Sequence, residues 1–415
     1  MGGSLDDPPG EGTGMKTKVA MMFGGKTVEH EVSVISGIQA IMAMDTDKYE
    51  VIPVYLTKDN DMYIGSDIGD ISAYRDIPAL LRRSQRVILV NEGGRAQLVP
   101  YPHKMFGSGP VQIDIAFPVV HGTNVEDGAL QGFLKTSGVP FVGPDVTSSA
   151  ISMDKYITKA VLKEAGVPVL DAEVYTLADY ADMDSLIDDA EKVVGYPLIV
   201  KPVNLGSSVG IGVAKNRDEF IQALDDAFMY ATRVLVEHAI SDLREINCSV
   251  LGDENEAEAS ECEEPLTSGE ILSYEDKYVN GGGKKGGSKG GSGSKGAGMA
   301  NLSRKIPADL SPEKREEIRE MAVKAFRALG CNGVSRIDFM IDEATGKLYF
   351  NEINPIPGSL SFYLWEPVGV PYRELLDRMI QLALKRMRTE EALTFTFDTN
   401  ILANANLGGG KGGKN

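Results

Sequence analysis

Hydrophobic positions along the chain come in short blocks separated by glycine and polar turns. Residues 18–23 (KVAMMF) form an apolar run that stops at Gly24-Gly25. EVSVISGIQAIMAM follows, in which Val32, Ile35, Ile38, Ile41 and Met42 can share one face of a helix. Residues 50–56 (EVIPVYL) are a second strand candidate, and strand, glycine turn, helix and strand is the signature of a βαβ unit. A later apolar run, 113–120 (IDIAFPVV), ends in His121-Gly122. The pattern predicts an open parallel-sheet, Rossmann-like α/β domain over residues 15–146. Its ligand should sit at the strand C-termini, beside Gly24-Gly25 and His121-Gly122.

Past residue 146 the periods change. SSAISMDKYITKAVLKEAG reads as one helix, leading to strands at 172–175 and 197–201 and then a glycine loop, a central unit over 147–235. After an apolar run at 234–237, INCSVLG and EAEASECEE flank a Gly252-Asp253 turn, and the acidic alternation predicts one solvent-facing side. A helix over 312–329, strands at 335–341 and 347–352 and an amphipathic helix over 372–386 complete a third unit, 236–395. The fold class is α/β, turning α+β in the C-terminal half. Residues 1–14 and 396–415 read as a flexible leader and tail, and 281–298 (GGGKKGGSKGGSGSKGAG) cannot bury a core.

Composition narrows the function classes. Among 415 residues, 42 Lys and Arg face 60 Asp and Glu, a formal charge of −18 that disfavours nucleic acid or anionic lipid across the surface. No apolar run approaches the ~20 residues of a membrane span, so no membrane insertion is expected. The three cysteines, Cys248, Cys262 and Cys331, fit neither a disulfide framework nor a zinc site, which suits a cytoplasmic protein.

Three constellations carry chemistry. GGKT at 24–27 is not a Walker A loop, because Ala20 stands where that motif needs glycine; it delivers Glu29, His30 and Glu31 to a helix start. The turn is no G-x-G-x-x-G either, which excludes a Rossmann dehydrogenase. In KPVNLGSSVGIG, Lys201 ends a strand and Gly206, Ser207, Ser208 and Gly210 follow, a run whose N–H and hydroxyl groups can wrap phosphate. In SRIDFMID…KLYFNEINPIPG, Arg336, Asp338 and Met340 share one strand face and Glu352 and Asn354 another. Two carboxylates and a carboxamide are hard oxygen ligands suited to Mg²⁺, with Arg336 placed to stabilise an oxyanion.

The order GGKTVEHEVS, HGTNVEDGALQG, SMDK, VKPVNLGSSVG, YEDKY and SRIDFM…NEINPIPG resembles the D-alanine–D-alanine ligase family of the ATP-grasp superfamily, from about Met15 to Lys385. The resemblance implies an ATP-grasp fold and a cell-wall activity. ATP phosphorylates one D-alanine, and a second attacks the acyl phosphate to give a dipeptide for peptidoglycan. It further implies that Lys155, Lys201, Ser207, Ser208 and Lys277 hold ATP phosphates, that Glu237 and Glu245 read adenine and ribose, and that Ile240 and Met340 line the adenine pocket. Asp338, Glu352 and Asn354 would hold two Mg²⁺ ions, with Mn²⁺ as a substitute. Glu29 would anchor the first substrate's ammonium group, with Ser207 and Tyr278 joining its network and His121 nearby. Arg336 and the Gly358 backbone would bind the tetrahedral intermediate, and a homodimer is implied.

Two stretches depart from the family. The lid loop, 274–306, is long and glycine-rich, and Lys284, Lys285, Lys289 and Lys295 would attract ATP before it closes. After Pro357-Gly358 the chain reads SLSFYLWEP, so Ser359 and Ser361 stand in for the family's acceptor-contacting serine. The acceptor is therefore open to D-alanine, D-serine, D-lactate or another amine. A non-catalytic nucleotide-binding paralogue is the alternative from another class.

Overall fold

A computed structural model describes residues 16–102, 109–206, 209–266 and 304–396. The leader, the tail, Ser207, Ser208, Lys277, Tyr278 and the glycine/lysine segment 281–298 lie outside the described residues.

The expected βαβ unit is β1 (Thr17–Gly24), α1 (His30–Ala43) and β2 (Tyr49–Leu56), with the two strands parallel. The chain then adds β3 (Met62–Ile64), α2 (Ile77–Arg83), β4 (Gln85–Glu92), β5 (Arg95–Pro100), β6 (Val111–Ile113), β7 (Ile115–Pro118) and α3 (Ala129–Thr136). The strand order is β6-β5-β4-β3-β2-β1-β7, in which β2, β1 and β7 are parallel and the other pairs antiparallel. The parallel sheet is thus half a meander, whose short, partly exposed strands leave weak hydrophobic runs. The run read as one strand at 113–120 breaks at Asp114, so that β6 pairs with β5 and β7 with β1. Asp114 holds the break by donating its N–H to Lys18 O and accepting from Lys18 N at 2.7 Å.

Helix α1 also differs in its face. Val32, Val34, Ser36, Ile38 and Ala40 are buried, whereas Met42 is 81% exposed. Its N-terminal half is enclosed on several sides, with Gly37 letting the backbone lie against Phe23.

The central unit begins with two helices rather than one, α4 (Val146–Met153) and α5 (Lys155–Glu164). Asp154 ends the first and caps the second, its carboxylate accepting from the N–H groups of Tyr156 and Ile157. Then come β8 (Ala172–Thr176), α6 (Leu177–Tyr180), α7 (Met183–Val193), β9 (Leu198–Pro202), β10 (Gly212–Ala214), α8 (Arg217–Phe228) and β11 (Arg233–His238). The strands make an antiparallel sheet in the order β10-β9-β11-β8.

The third unit has β12 (Leu243–Gly252), β13 (Ala257–Pro265), β14 (Arg304–Lys305), α9 (Pro312–Ala328), β15 (Gly333–Asp342) and β16 (Lys347–Asn354). A 3-10 turn (Gly358–Ser361), α10 (Phe362–Trp365) and α11 (Tyr372–Glu391) follow. Its sheet runs β14-β13-β12-β15-β16. The acidic strand β13 does not face solvent as its alternation predicts. Glu261 and Glu263 are buried because Arg315 of α9 and Arg304 of β14 neutralise them. Helix α11 shares the core of the first domain, where Leu375, Leu376, Met379 and Ile380 join Val19 and Phe23. Tyr49 fixes it by donating to Asp377 at 2.7 Å. The three cysteines are free and buried, and no described helix is long and apolar enough to cross a membrane.

Candidate active site

Glu29 stands at the N-cap of α1, yet its side chain makes no capping bond. The carboxylate is buried at a corner where two glycines approach it. A Cβ on Gly122 would lie 2.9 Å from Glu29 Oε2 and 2.3 Å from Thr27 Oγ1, and one on Gly206 would lie 3.4 Å from Oε2. Gly122 also has φ +85°, a backbone region that glycine alone enters cheaply. The turn before Glu29 is held by His30, whose Nδ1–H donates to Gly25 O at 2.7 Å.

His121 is buried, and both ring nitrogens have protein partners. Ile356 O can only accept, so Nδ1 carries the proton, at 2.8 Å; Nε2 then accepts from Ser36 Oγ at 3.0 Å. Burial pushes its pKa down, which keeps the ring neutral. Ser36 Oγ in turn accepts from Ser359 N, and Ser359 Oγ donates to Gln39 at 2.7 Å. His121 therefore positions the 359 turn rather than offering a free nitrogen to substrate. Ser359, Leu360 and Ser361 are all left-handed, at φ 51°, 51° and 50°. The Ser361 hydroxyl is buried with no hydrogen-bond partner among the described residues.

Glu126 was not singled out by the sequence, although it lies in the HGTNVEDG motif. It accepts from Gly122 N at 2.8 Å and from Ile356 N at 2.9 Å, joining the first domain to the third. Burial first, then the neighbouring charge of Glu29, raise its pKa to about 8.

The lysines come next. Lys155 Nζ donates to Leu205 O at 2.6 Å and lies 3.5 Å from Glu352 Oε2. Lys201 donates to Glu237 at 2.6 Å and to Asn351 at 3.1 Å, and Lys159 holds the other Glu237 oxygen. Burial alone would raise the Glu237 carboxyl, but Lys201 and Lys159 outweigh it and hold it at about 2. The Glu237 carboxylate is thus spent on lysines, and its backbone lies between β9 and β8 in the sheet. Lys159 was missed, although it sits one turn beyond Lys155 as a charge on the buried stripe of α5.

On the third sheet, Asp338 pairs with Glu352 and Arg336 with Asn354 across β15 and β16. A bulge after Asp338 leaves Asn351 as the extra residue, which turns its side chain to Lys201. Arg336 forks onto Asp338 with two 2.7 Å bonds, and Asn354 Nδ2 donates to Asp338 at 3.2 Å. Two of the guanidinium's five N–H groups are thereby engaged by Asp338. No group of three or more His, Cys, Asp or Glu suited to a metal occurs among the described residues. Asp338 and Glu352 with the Asn354 carboxamide remain a hard-oxygen set that fits Mg²⁺. Glu245 pairs with the buried Met340 across β12 and β15, while Ile240 follows the end of β11. A cleft is lined by Lys155, Leu205, Gly206, Asn351, Glu352 and Asn354.

Two antiparallel sheets that converge on lysines and carboxylates, behind an α/β domain bearing Glu29, define an ATP-grasp fold. The D-ala D-ala ligase N-terminus profile matches residues 18–144, and the D-ala D-ala ligase C-terminus profile matches 161–289 and 293–381. The chain belongs to the D-alanine–D-alanine ligase family. The D-alanine–D-alanine ligase of Thermoanaerobacter sp. (strain X514) is 41% identical over 381 residues, covering 89% of this chain and 97% of its own. Among solved structures, the D-alanine–D-alanine ligase from Coxiella burnetii superposes with TM-score 0.73 at 28% identity, covering 91% of this chain and 97% of that one. VanG D-Ala:D-Ser ligase from Enterococcus faecalis gives 0.72 at 28%, covering 89% and 100%.

Proposed function

We propose that the protein is an ATP-dependent ligase that joins two D-alanine molecules through a D-alanyl phosphate and supplies a peptidoglycan precursor in the cytoplasm, as a homodimer. One line of contacts supports this best. The Glu29 carboxylate packs on Gly206, Leu205 O holds Lys155, and Lys155 reaches Glu352. The residues proposed as ammonium anchor, phosphate-binding lysine and metal ligand are thus linked through Leu205 and Gly206, which line the cleft.

In this reading Glu29 holds the first D-alanine by its ammonium group, and Ser207 and Tyr278 complete that network. The carboxylate oxygen of that D-alanine takes the γ-phosphoryl group, and ADP leaves. Lys155, Lys201 and Lys277, with the loop at Ser207 and Ser208, hold the phosphates. Ile240, Met340, Glu237 and Glu245 seat the nucleoside. The amine of the second D-alanine then attacks the activated carbonyl, phosphate leaves, and Arg336 with the Gly358 N–H steadies the oxyanion. Asp338, Glu352 and Asn354 would hold two Mg²⁺ ions, which when bound neutralise charge on the phosphates. Ser359 and Ser361 border the acceptor. An acyl phosphate hydrolyses in water, so the site must exclude water while the acyl phosphate stands.

The test incubates the protein with Mg·ATP and D-alanine while phosphate release and product mass are followed together. D-Alanyl-D-alanine with one phosphate per dipeptide is expected. ADP and phosphate without dipeptide would shift the reading to another acceptor, and silence in both channels would remove it.

A further inference from the structure

Of the two lysines that close on Glu237, one has no role in the reading above. Lys201 on β9 and Glu237 on β11 are diagonal neighbours in the second sheet, since Lys201 stands opposite Leu235 and Ile199 opposite Glu237. Lys159 arrives from α5, one turn beyond Lys155. Lys201 Nζ donates to Glu237 Oε1 at 2.6 Å and Lys159 Nζ to Oε2, so each carboxylate oxygen has its own ammonium group. The Glu237 side chain is 0% exposed, and those of Lys159 and Lys201 are 6% and 8% exposed.

The two lysines differ in what else they reach. Lys201 donates to Asn351 Oδ1 at 3.1 Å, and Asn351 lines the cleft with Lys155 and Glu352. Lys159 Nζ lies 3.5 Å from Leu170 O, away from the residues that line the cleft. One lysine is enough to neutralise Glu237. The second leaves the triad with one surplus positive charge, and an unbalanced buried charge costs free energy. Burial pushes the Lys159 pKa down against the pull of Glu237, and the charges of Lys201 and Lys155 add to it, as they must where cations outnumber anions. An apolar residue on this buried stripe of α5 would avoid that cost. The surplus charge is matched when an anion enters the cleft.

Resting on the reading of Lys201 as a phosphate-binding residue, we propose that Lys159 is a positioning residue, which keeps Glu237 neutralised while Lys201 turns from that carboxylate to a phosphate of ATP. Without Lys159, the turn would strand Glu237 as a buried, unpaired carboxylate, and its pull would hold Lys201 back from the nucleotide. With Lys159 in place, Glu237 has a cationic partner both before and after ATP binds.

The experiment measures Mg·ATP affinity of the full chain by calorimetry, beside the KM for ATP and the first-site KM for D-alanine. Lys159→Met should weaken ATP binding on the order of 10–10²-fold and raise the KM for ATP with it, while the first-site KM for D-alanine stays the same. Its melting temperature without nucleotide should be equal or higher, because Glu237 and Lys201 remain as a neutral pair. Lys159→Arg keeps the second cation and should bind ATP more tightly than Lys159→Met. A crystal structure with Mg²⁺ and a non-hydrolysable ATP analogue should show Lys201 on a phosphate oxygen and Lys159 still on Glu237. An unchanged ATP affinity in Lys159→Met, or Lys159 itself on the phosphates, overturns the assignment. So does weaker ATP binding that comes with a lower melting temperature, since the role is then structural. A wild type that does not bind ATP overturns the reading of Lys201 instead.

Discussion

At the scale of single residues, the site is governed by how each charge is matched. Glu237 is the clearest case, because two buried lysines close on one fully buried carboxylate. Its folded pKa of about 2 lies below the ordinary 4.5, so its stabilisation is present above pH ~4.5 and is lost as the pH falls towards 2. Glu237→Ala should cost about 3–5 kcal/mol in urea unfolding, because it strands Lys159 and Lys201 without their partner. A loss under about 1 kcal/mol would mean that water already reaches the three charges. Arg336 makes a different prediction. Arg336→Ala should lower turnover on the order of 10²–10³-fold while ATP still binds, as read by calorimetry beside kinetics. Loss of ATP affinity with intact turnover would reassign it to the nucleotide, through Asp338. Gly122→Ala should also lower turnover, by on the order of 10²-fold, since the new Cβ would press on Thr27 and Glu29.

At the scale of elements, the turn at 359–361 stands out. Three successive left-handed residues without a glycine cost about 1–2 kcal/mol each, a strain held by the Ser36 and Gln39 bonds. Ser361→Gly should therefore leave the melting temperature equal or higher and still raise the acceptor KM, because the hydroxyl removed has no partner among the described residues and is proposed to border the acceptor. A lower melting temperature would show that the hydroxyl supports the fold. This turn also marks where sequence reading stops. The strands that carry Glu352 and Asn354, the glycine turn before Glu29 and the break after His121 were legible, because each sits at the end of a strong apolar run. The split of α4 from α5 was not, since Asp154 interrupts a helical period without a proline or glycine to announce it. The burial of β13 was hidden for a related reason. Its acids alternate as on an exposed strand, and only the arrival of Arg304 and Arg315 from distant sequence makes them interior. Glu126 and Lys159 were hidden similarly, because a charged residue reads as surface until its partners are known.

At the scale of the whole molecule, the proposed site requires the first domain and the third to be held together, since Glu29 comes from one and Arg336 from the other. Two devices do this. Helix α11 lies in the first domain's core, and Glu126 bonds the N–H groups of Gly122 and Ile356 together across the boundary. The second device titrates. Burial and the Glu29 charge raise the Glu126 carboxyl to about 8, while in the unfolded chain it ionises near 4.5. Between those values the folded protein holds a proton that the unfolded chain has released, so this group's contribution to stability falls as the pH rises and levels off above 8. The sign is opposite to that of Glu237, whose contribution is lost on the acid side. Glu126→Gln should lower stability throughout, because an amide accepts one of the two N–H groups and presents a donor to the other. It should also flatten the decline in urea midpoint between about pH 5 and pH 8, and that slope, rather than the baseline, is the measurement that decides. If the variant declines as steeply as the wild type, the proton lies elsewhere, and Glu126 joins the domains as an ionised carboxylate.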